Sequence, residues 1–71
     1  MWIEKNNELI NLTYVDNINY DICEENNQFE LDFYKNGKLV SYIFFSNEKG
    51  LKNAFLNIKL ALKNNKKFLE I

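Results

Sequence analysis

Residues 28–45 read Gln28-Phe29-Glu30-Leu31-Asp32-Phe33-Tyr34-Lys35-Asn36-Gly37-Lys38-Leu39-Val40-Ser41-Tyr42-Ile43-Phe44-Phe45, and their pattern decides the fold. Phe29, Leu31 and Phe33 alternate with Glu30, Asp32 and Tyr34, the period-two signature of a half-buried strand. Asn36-Gly37 is the strongest hairpin signal in the chain, because both residue types accept the positive φ of a tight two-residue turn. The run 39–45 that follows is apolar at almost every position. A two-residue turn places Val40, Tyr42 and Phe44 on one face with Phe33, Leu31 and Phe29, and this is the register we expect. A three-residue loop with a bulge would instead turn Leu39, Ile43 and Phe45 inward.

Working outward, the segment 18–24 reads as a further strand, joined through a turn around Asn26-Asn27. That turn adds Tyr20 and Ile22 to the apolar face and sets Asp21 opposite Asp32, with Glu30 and Cys23 adjacent. Two earlier strands, 1–5 and 8–12, flank Asn6-Asn7, and a two-residue loop there pairs Lys5 with Glu8 and Ile3 with Ile10. Residues 13–17 read as a loop or a short helical turn. Near the C-terminus Leu51, Ala54, Phe55, Ile58, Ala61 and Leu62 recur at helical spacing. Ser46 or Asn47 can cap that helix, Glu48 suits its first turn, and Lys63, Lys66 and Lys67 suit its far pole. The spacing predicts a helix over 47–64, and 68–71 can close as a last strand. No repeat or linker interrupts the chain, so we expect one α+β domain over 1–71. Its expected architecture is an antiparallel four- to five-stranded β-meander, covered on one face by a single C-terminal amphipathic helix.

The composition excludes most catalysis. The 71 residues carry no His, no Arg and no Pro, with one cysteine, Cys23. Without His there is no ordinary general base near neutral pH and no Ser-His or Cys-His nucleophile. Cys23 alternates with Ile22 on a strand, away from any group that would depress its pKa, and reads as an inert structural thiol. No glycine-rich phosphate loop occurs, and no loop has the ligand spacing of an EF-hand. We therefore expect a protein that is not an enzyme and holds no cofactor or metal. A lone thiol fits a reducing compartment. No apolar stretch approaches the roughly 18 residues of a membrane span, and the first residues lack the basic-then-apolar pattern of a secretory signal. The expectation is a cytoplasmic protein with no membrane partner. Thirteen asparagines and nine lysines match the bias of an AT-rich genome and read first as codon pressure.

Charge is distributed unevenly within a net of −1. Residues 6–34 hold seven acids and no lysine, whereas residues 35–71 hold eight lysines and two acids. Like charges opposed across strands destabilise a sheet, so an acidic face around Asp21, Glu24, Glu30 and Asp32 is retained at a cost. Such a face is either a solvated surface or one that meets a basic partner groove. The lysine stripe Lys52, Lys59 and Lys63 suggests phosphate binding, but the absence of arginine and the acidic balance argue against a nucleic-acid partner. Leu56 and Leu60 fall opposite the expected core face of the helix, and Leu39, Ile43 and Phe45 are left over on the second face of their strand. Together these five define an alternative surface, through which a homodimer or small subunit would assemble. Trp2 reads as core filler before contact residue.

The opening Met1-Trp2-Ile3, followed by Leu9-Ile10-Asn11-Leu12 and the stretch Val15 to Ile18, resembles a loose class of very short bacterial and phage proteins. These begin M-W-I, continue L-V/I-N-L, and run through a β-meander into one amphipathic helix. Short acidic proteins of mobile elements include inhibitors of host defence, anti-CRISPR proteins among them, and the analogy implies stoichiometric inhibition. On this reading Asp21, Glu24, Glu30 and Asp32 supply electrostatic fit to a basic protein surface, with Tyr34 and its apolar neighbours as anchors.

Overall fold

A computed structural model describes residues 1–71. Its elements are β1 (Trp2–Lys5), β2 (Glu8–Asn11), β3 (Asn17–Cys23), β4 (Gln28–Lys35), β5 (Lys38–Phe45), α1 (Glu48–Lys63) and β6 (Phe68–Glu70). The class is α+β, but the strands form two three-stranded sheets, ordered β2-β1-β6 and β3-β4-β5, rather than one meander of four or five. The division lies at Asn11, whose side chain accepts a hydrogen bond from the Thr13 N–H at 3.0 Å and caps a 3-10 turn over Leu12–Tyr14. That turn buries Leu12 and carries the chain off the β2 edge before β3 begins. The helix then returns the chain to β1, so β6 runs parallel to it, pairing Trp2 with Phe68 and Ile3 with Leu69. The Trp2 N–H donates to the Lys67 carbonyl at 2.9 Å and the Ile71 N–H to the Glu4 carbonyl at 2.8 Å, so hydrogen bonds hold both ends of this closure.

The first hairpin pairs Lys5 with Glu8 and Ile3 with Ile10, as its two-residue loop requires. Asparagine does the conformational work at the turns. Asn6, Asn27, Asn36 and Asn65 all have φ between 50° and 58°, in the left-handed region that asparagine tolerates better than other non-glycine residues. Codon bias alone therefore does not account for these four positions. Gly37, at φ 77°, follows Asn36, and two consecutive positive φ values match the twist of the flanking strands.

Two registers differ from the expected ones. Between β3 and β4 the link is a 3-10 turn, Glu24–Asn26, closed by Asn27, which makes it four residues long instead of two. Cys23 therefore pairs with Gln28, Asp21 faces Glu30 rather than Asp32, and Asn19 faces Asp32. A slip of two residues preserves the faces, so Ile18, Tyr20 and Ile22 still share a side with Leu31 and Phe33. Between β4 and β5 the turn has two residues, with Lys35 opposite Lys38 and Tyr34 opposite Leu39, but a bulge at Val40 then intervenes. Phe33 faces Ser41, Leu31 faces Ile43 and Phe29 faces Phe45. Ile43 and Phe45 thus turn inward, while Tyr42 and Phe44 turn out, reversing the expected assignment. Volume supplies the reason: Phe33 is wholly buried, and the small Ser41 is the residue on β5 that can sit opposite it.

The core gathers Ile3 and Ile10 from the first sheet, Leu12, then Leu31, Phe33 and Ile43 from the second, with Leu51 and Ile58 from α1. The helix lies across the inner face of β3-β4-β5 on Leu51, Ala54, Ile58 and Ala61. Leu62, expected on this face, is about half exposed (48%) at its margin. Asn47 caps α1, accepting from the Gly50 N–H at 2.7 Å. A Cβ at Gly50 would lie 3.3 Å from the Asn47 Oδ1 and 3.7 Å from the Phe45 ring, so glycine here admits both the cap and the ring. Trp2 is not core filler; it stands exposed beside Phe68 on the outer face of the first sheet.

Candidate partner-binding face

The inner face of β3-β4-β5 is filled by the helix, and the alternation along each strand sends the remaining side chains outward. Two rows run across this outer face. One is Asn19–Asp32–Tyr42 and the other Asp21–Glu30–Phe44, so on β4 and β5 each carboxylate is paired directly with an aromatic ring. Tyr34 and Leu39 make a third pair beside the turn. The Tyr42 and Phe44 rings meet edge to face with centroids 5.1 Å apart, and both remain about half exposed. Val40, set by the bulge, continues the apolar margin. Val40 also lines a groove of about 410 Å³ together with Leu9, Ile10, Tyr14 and Val15.

Asp32 is the unusual member. It is 7% exposed, the single charged residue among those buried, and its Oδ1 has no hydrogen-bond partner. Burial raises its pKa from 3.8 to about 6, helped by a hydrogen bond shared with Glu30 and by the negative charges of Glu30 and Asp21. Glu30 is itself held in place by the Gln28 side-chain amide, which donates to it at 3.0 Å. Asp16 behaves in the opposite way. It accepts from the Asn36 N–H at 2.9 Å and from the Lys35 ammonium at 3.2 Å, which hold its pKa below 3.8 and tie the start of β3 to the β4–β5 turn.

None of the chain's nine lysines neutralises the outer face. The ion pairs are Lys35 with Asp16 and Lys52 with Glu48, while Lys5 lies over the Phe45 ring at 4.3 Å. Nor do Asp21, Glu30 and Asp32 converge closely enough, with any other Asp, Glu or Cys, to enclose a metal ion.

No family model, curated protein or solved structure matches this chain. The face must accordingly be read from its own chemistry.

Of the residues singled out from the sequence, Asp21, Glu30, Asp32 and Tyr34 share this face. Glu24 does not stand in the rows; it opens the 3-10 turn beyond the end of β3. The alternative surface is dispersed by the fold. Leu39 joins the outer sheet face, Ile43 and Phe45 are packed inside, and Leu56 and Leu60 stand exposed on the helix. The simple hairpin register turns Tyr42 and Phe44 inward, whereas in the structure they belong to the candidate site. The signal that marks them is a largely apolar strand with one small residue, Ser41, set opposite the fully buried Phe33. No helix of the structure is long and apolar enough to cross a membrane.

Proposed function

We propose that the protein is a non-catalytic binding module that engages a basic protein surface through the outer face of β3-β4-β5. The observation that carries this reading is the pairing of exposed aromatic rings with unneutralised carboxylates, Tyr42 with Asp32 and Phe44 with Glu30. Aromatic side chains are the commonest anchors of protein interfaces, and acids around them set register and steer a positively charged partner. A protein whose own ligand is nucleic acid presents such a basic surface, and an acidic module seated there would act as a stoichiometric inhibitor. The resemblance to small mobile-element proteins makes a host-defence nuclease complex of the CRISPR type one such target.

The competing reading, a homodimer or subunit joined through Leu39, Ile43, Phe45, Leu56 and Leu60, loses its common surface because Ile43 lies in the core and Phe45 packs against it. Affinity capture from a host lysate, run in parallel with the double variant Asp21→Lys/Glu30→Lys, tests the proposal. Both positions are solvent-facing, so the variant should keep the native circular dichroism and melting behaviour. A stoichiometric basic protein that is retained at low salt, released at high salt and absent from the variant supports the reading. Equal capture by the variant refutes it.

A further inference from the structure

The groove of about 410 Å³ lies where the two sheets leave their edges unpaired. Glu8, Leu9, Ile10 and Asn11 all line it, together with Tyr14, Val15, Val40 and Ser41. Successive residues of a strand point to opposite faces, so a groove that touches all four residues of β2 runs along an edge of that strand. One edge of β2 is paired with β1 and the other is free, so the groove follows the free edge. The ladder decides which main-chain groups meet it. The Leu12 N–H donates to the Met1 carbonyl at 2.8 Å, and bonded and non-bonded positions alternate along an antiparallel pair. Ile10 opposite Ile3 and Glu8 opposite Lys5 are then the bonded positions, and Leu9 and Asn11 direct their main-chain groups away from β1. On β1 the same alternation turns Trp2 and Glu4 toward β6, where the Trp2 N–H and the Glu4 carbonyl are used. The Leu9 N–H and carbonyl and the Asn11 N–H therefore face the groove, and no strand pairs with them.

Resting on the reading that this chain binds a basic protein, we propose that the groove takes an extended, cationic segment of that partner, added along β2 as a further strand of the first sheet. A row of main-chain donors and acceptors is matched in spacing by another main chain, and addition to a free sheet edge is a general mode of peptide recognition. The opposite wall is a poorer template, because β5 is bulged at Val40 and a bulge interrupts edge pairing. Val40 supplies apolar cover instead, with Leu9 and Tyr14, and all three side chains are more than half exposed. The groove's volume falls within the range of formed ligand sites. A segment that alternates aliphatic and polar residues would lay its aliphatic side chains on this cover.

Charge selects the segment. Of the two charged residues in the groove, Lys35 is neutralised by Asp16 at 3.2 Å, whereas Glu8 has no ion pair. Its cross-strand neighbour Lys5 is turned onto the Phe45 ring. A lysine or arginine of the added strand therefore meets a free carboxylate at Glu8. β2 itself holds no lysine or proline, residues that commonly guard an edge against pairing. Val40 belongs both to this groove and to the apolar margin of the outer face, so one partner can engage the two surfaces together.

The test uses the full chain and three capped peptides: Lys-Val-Thr-Val-Thr-Val-Lys, the same sequence N-methylated at every residue, and the same sequence with Glu for Lys. Binding is followed by NMR titration and by amide hydrogen exchange. With the lysine peptide the Leu9 and Asn11 amides should shift and exchange roughly tenfold more slowly, as one added hydrogen bond supports. The N-methylated peptide, which has no main-chain donor, should give neither effect, and the glutamate peptide should bind more weakly. Leu9→Pro removes a donor on the free side of an edge strand, where proline is tolerated. Tyr14→Lys sets a like charge in the groove at an exposed position, so it keeps the assay decisive if Leu9→Pro fails to fold. Either variant should abolish the response at Asn11. Equal response to the N-methylated peptide refutes strand addition. Shifts confined to Glu30, Tyr42 and Phe44 refute the groove and leave the outer face standing, whereas shifts confined to the groove uphold it and count against the outer face. Protection of Leu9 and Asn11 that grows with protein concentration alone assigns the edge to a second copy of the chain and overturns the proposal. No response at either surface refutes both.

Discussion

Asp32→Asn should stabilise the protein at neutral pH, and the size and pH window of the effect follow from where the residue stands. The carboxyl is covered on the outer sheet face beside Glu30 and Asp21, and its pKa rises from 3.8 to about 6. An acid whose folded pKa exceeds its unfolded one binds its proton more tightly when folded. Its contribution is therefore fully present below pH 3.8, declines as pH rises, and is lost above about 6. In a rigid, dry site a rise of this size would correspond to about 3 kcal/mol. Here the cover consists of side chains on an open sheet face, which can move and admit water, so we expect ~1–2 kcal/mol. The asparagine variant carries no ionisation and can donate to Glu30. At pH 7.5 it should exceed the parent by that amount, a melting-temperature difference of roughly 4–8 °C per kcal/mol for a domain of this size. At pH 3.5 the two should coincide. Urea unfolding followed by circular dichroism between pH 3.5 and 8 gives both curves. Parallel curves across this range, or a variant less stable than the parent at pH 7.5, would refute the placement of Asp32 and the argument built on it.

Three further substitutions examine the bulge and the turn that create the face. Ile43→Ala should cost ~2–4 kcal/mol, as truncation of a buried branched side chain does, whereas Tyr42→Ala should cost under about 1 kcal/mol because its ring is half exposed; chemical denaturation of both variants decides the register, and the reverse order would restore the simple hairpin. Gly37→Ala places a Cβ at φ 77° with no neighbour to stabilise it, so it should lower stability by ~1–2 kcal/mol, measured by the same unfolding assay.

Local pattern was highly informative about elements and much less so about how they join. The helix, the Asn6-Asn7 hairpin and the alternation of β4 can be read from residues within a few positions of one another. What escaped were the sites where a single inserted residue or a long-range volume match decides the outcome. Val40 is one such site: nothing in the apolar run 39–45 marks it as the bulged residue until Phe33 is known to be fully buried opposite Ser41. The division into two sheets is another. It depends on Asn11 capping a 3-10 turn and on β6 reaching the free edge of β1 from the far end of the chain. Three-residue β6 carries too little pattern to announce a parallel pairing. The acidic side of the candidate face was legible from Glu30 and Asp32 alternating with apolar residues. Its aromatic side was not, because the bulge decides which of two equally apolar sets is exposed.

The bulge also explains why the face has the composition it does. Without it, Tyr42 and Phe44 would enter the core, and Ser41 and Ile43 would stand opposite Asp32 and Glu30, leaving both acids without an aromatic partner. With it, the flat rings are presented to solvent directly beside the carboxylates, and the aliphatic Ile43 fills the interior. A protein selected for stability alone would gain by placing a threonine or asparagine at position 32, where a carboxylate is covered, has one oxygen without a partner and is flanked by two more acids. Its charge is instead of use to the proposed role of this face in meeting a basic surface. Stability in the free form and affinity in the bound form then depend in opposite directions on the same side chain. Asp32→Asn should raise the first and lower the second, and a variant that raised both would show that the carboxylate's charge has no binding role.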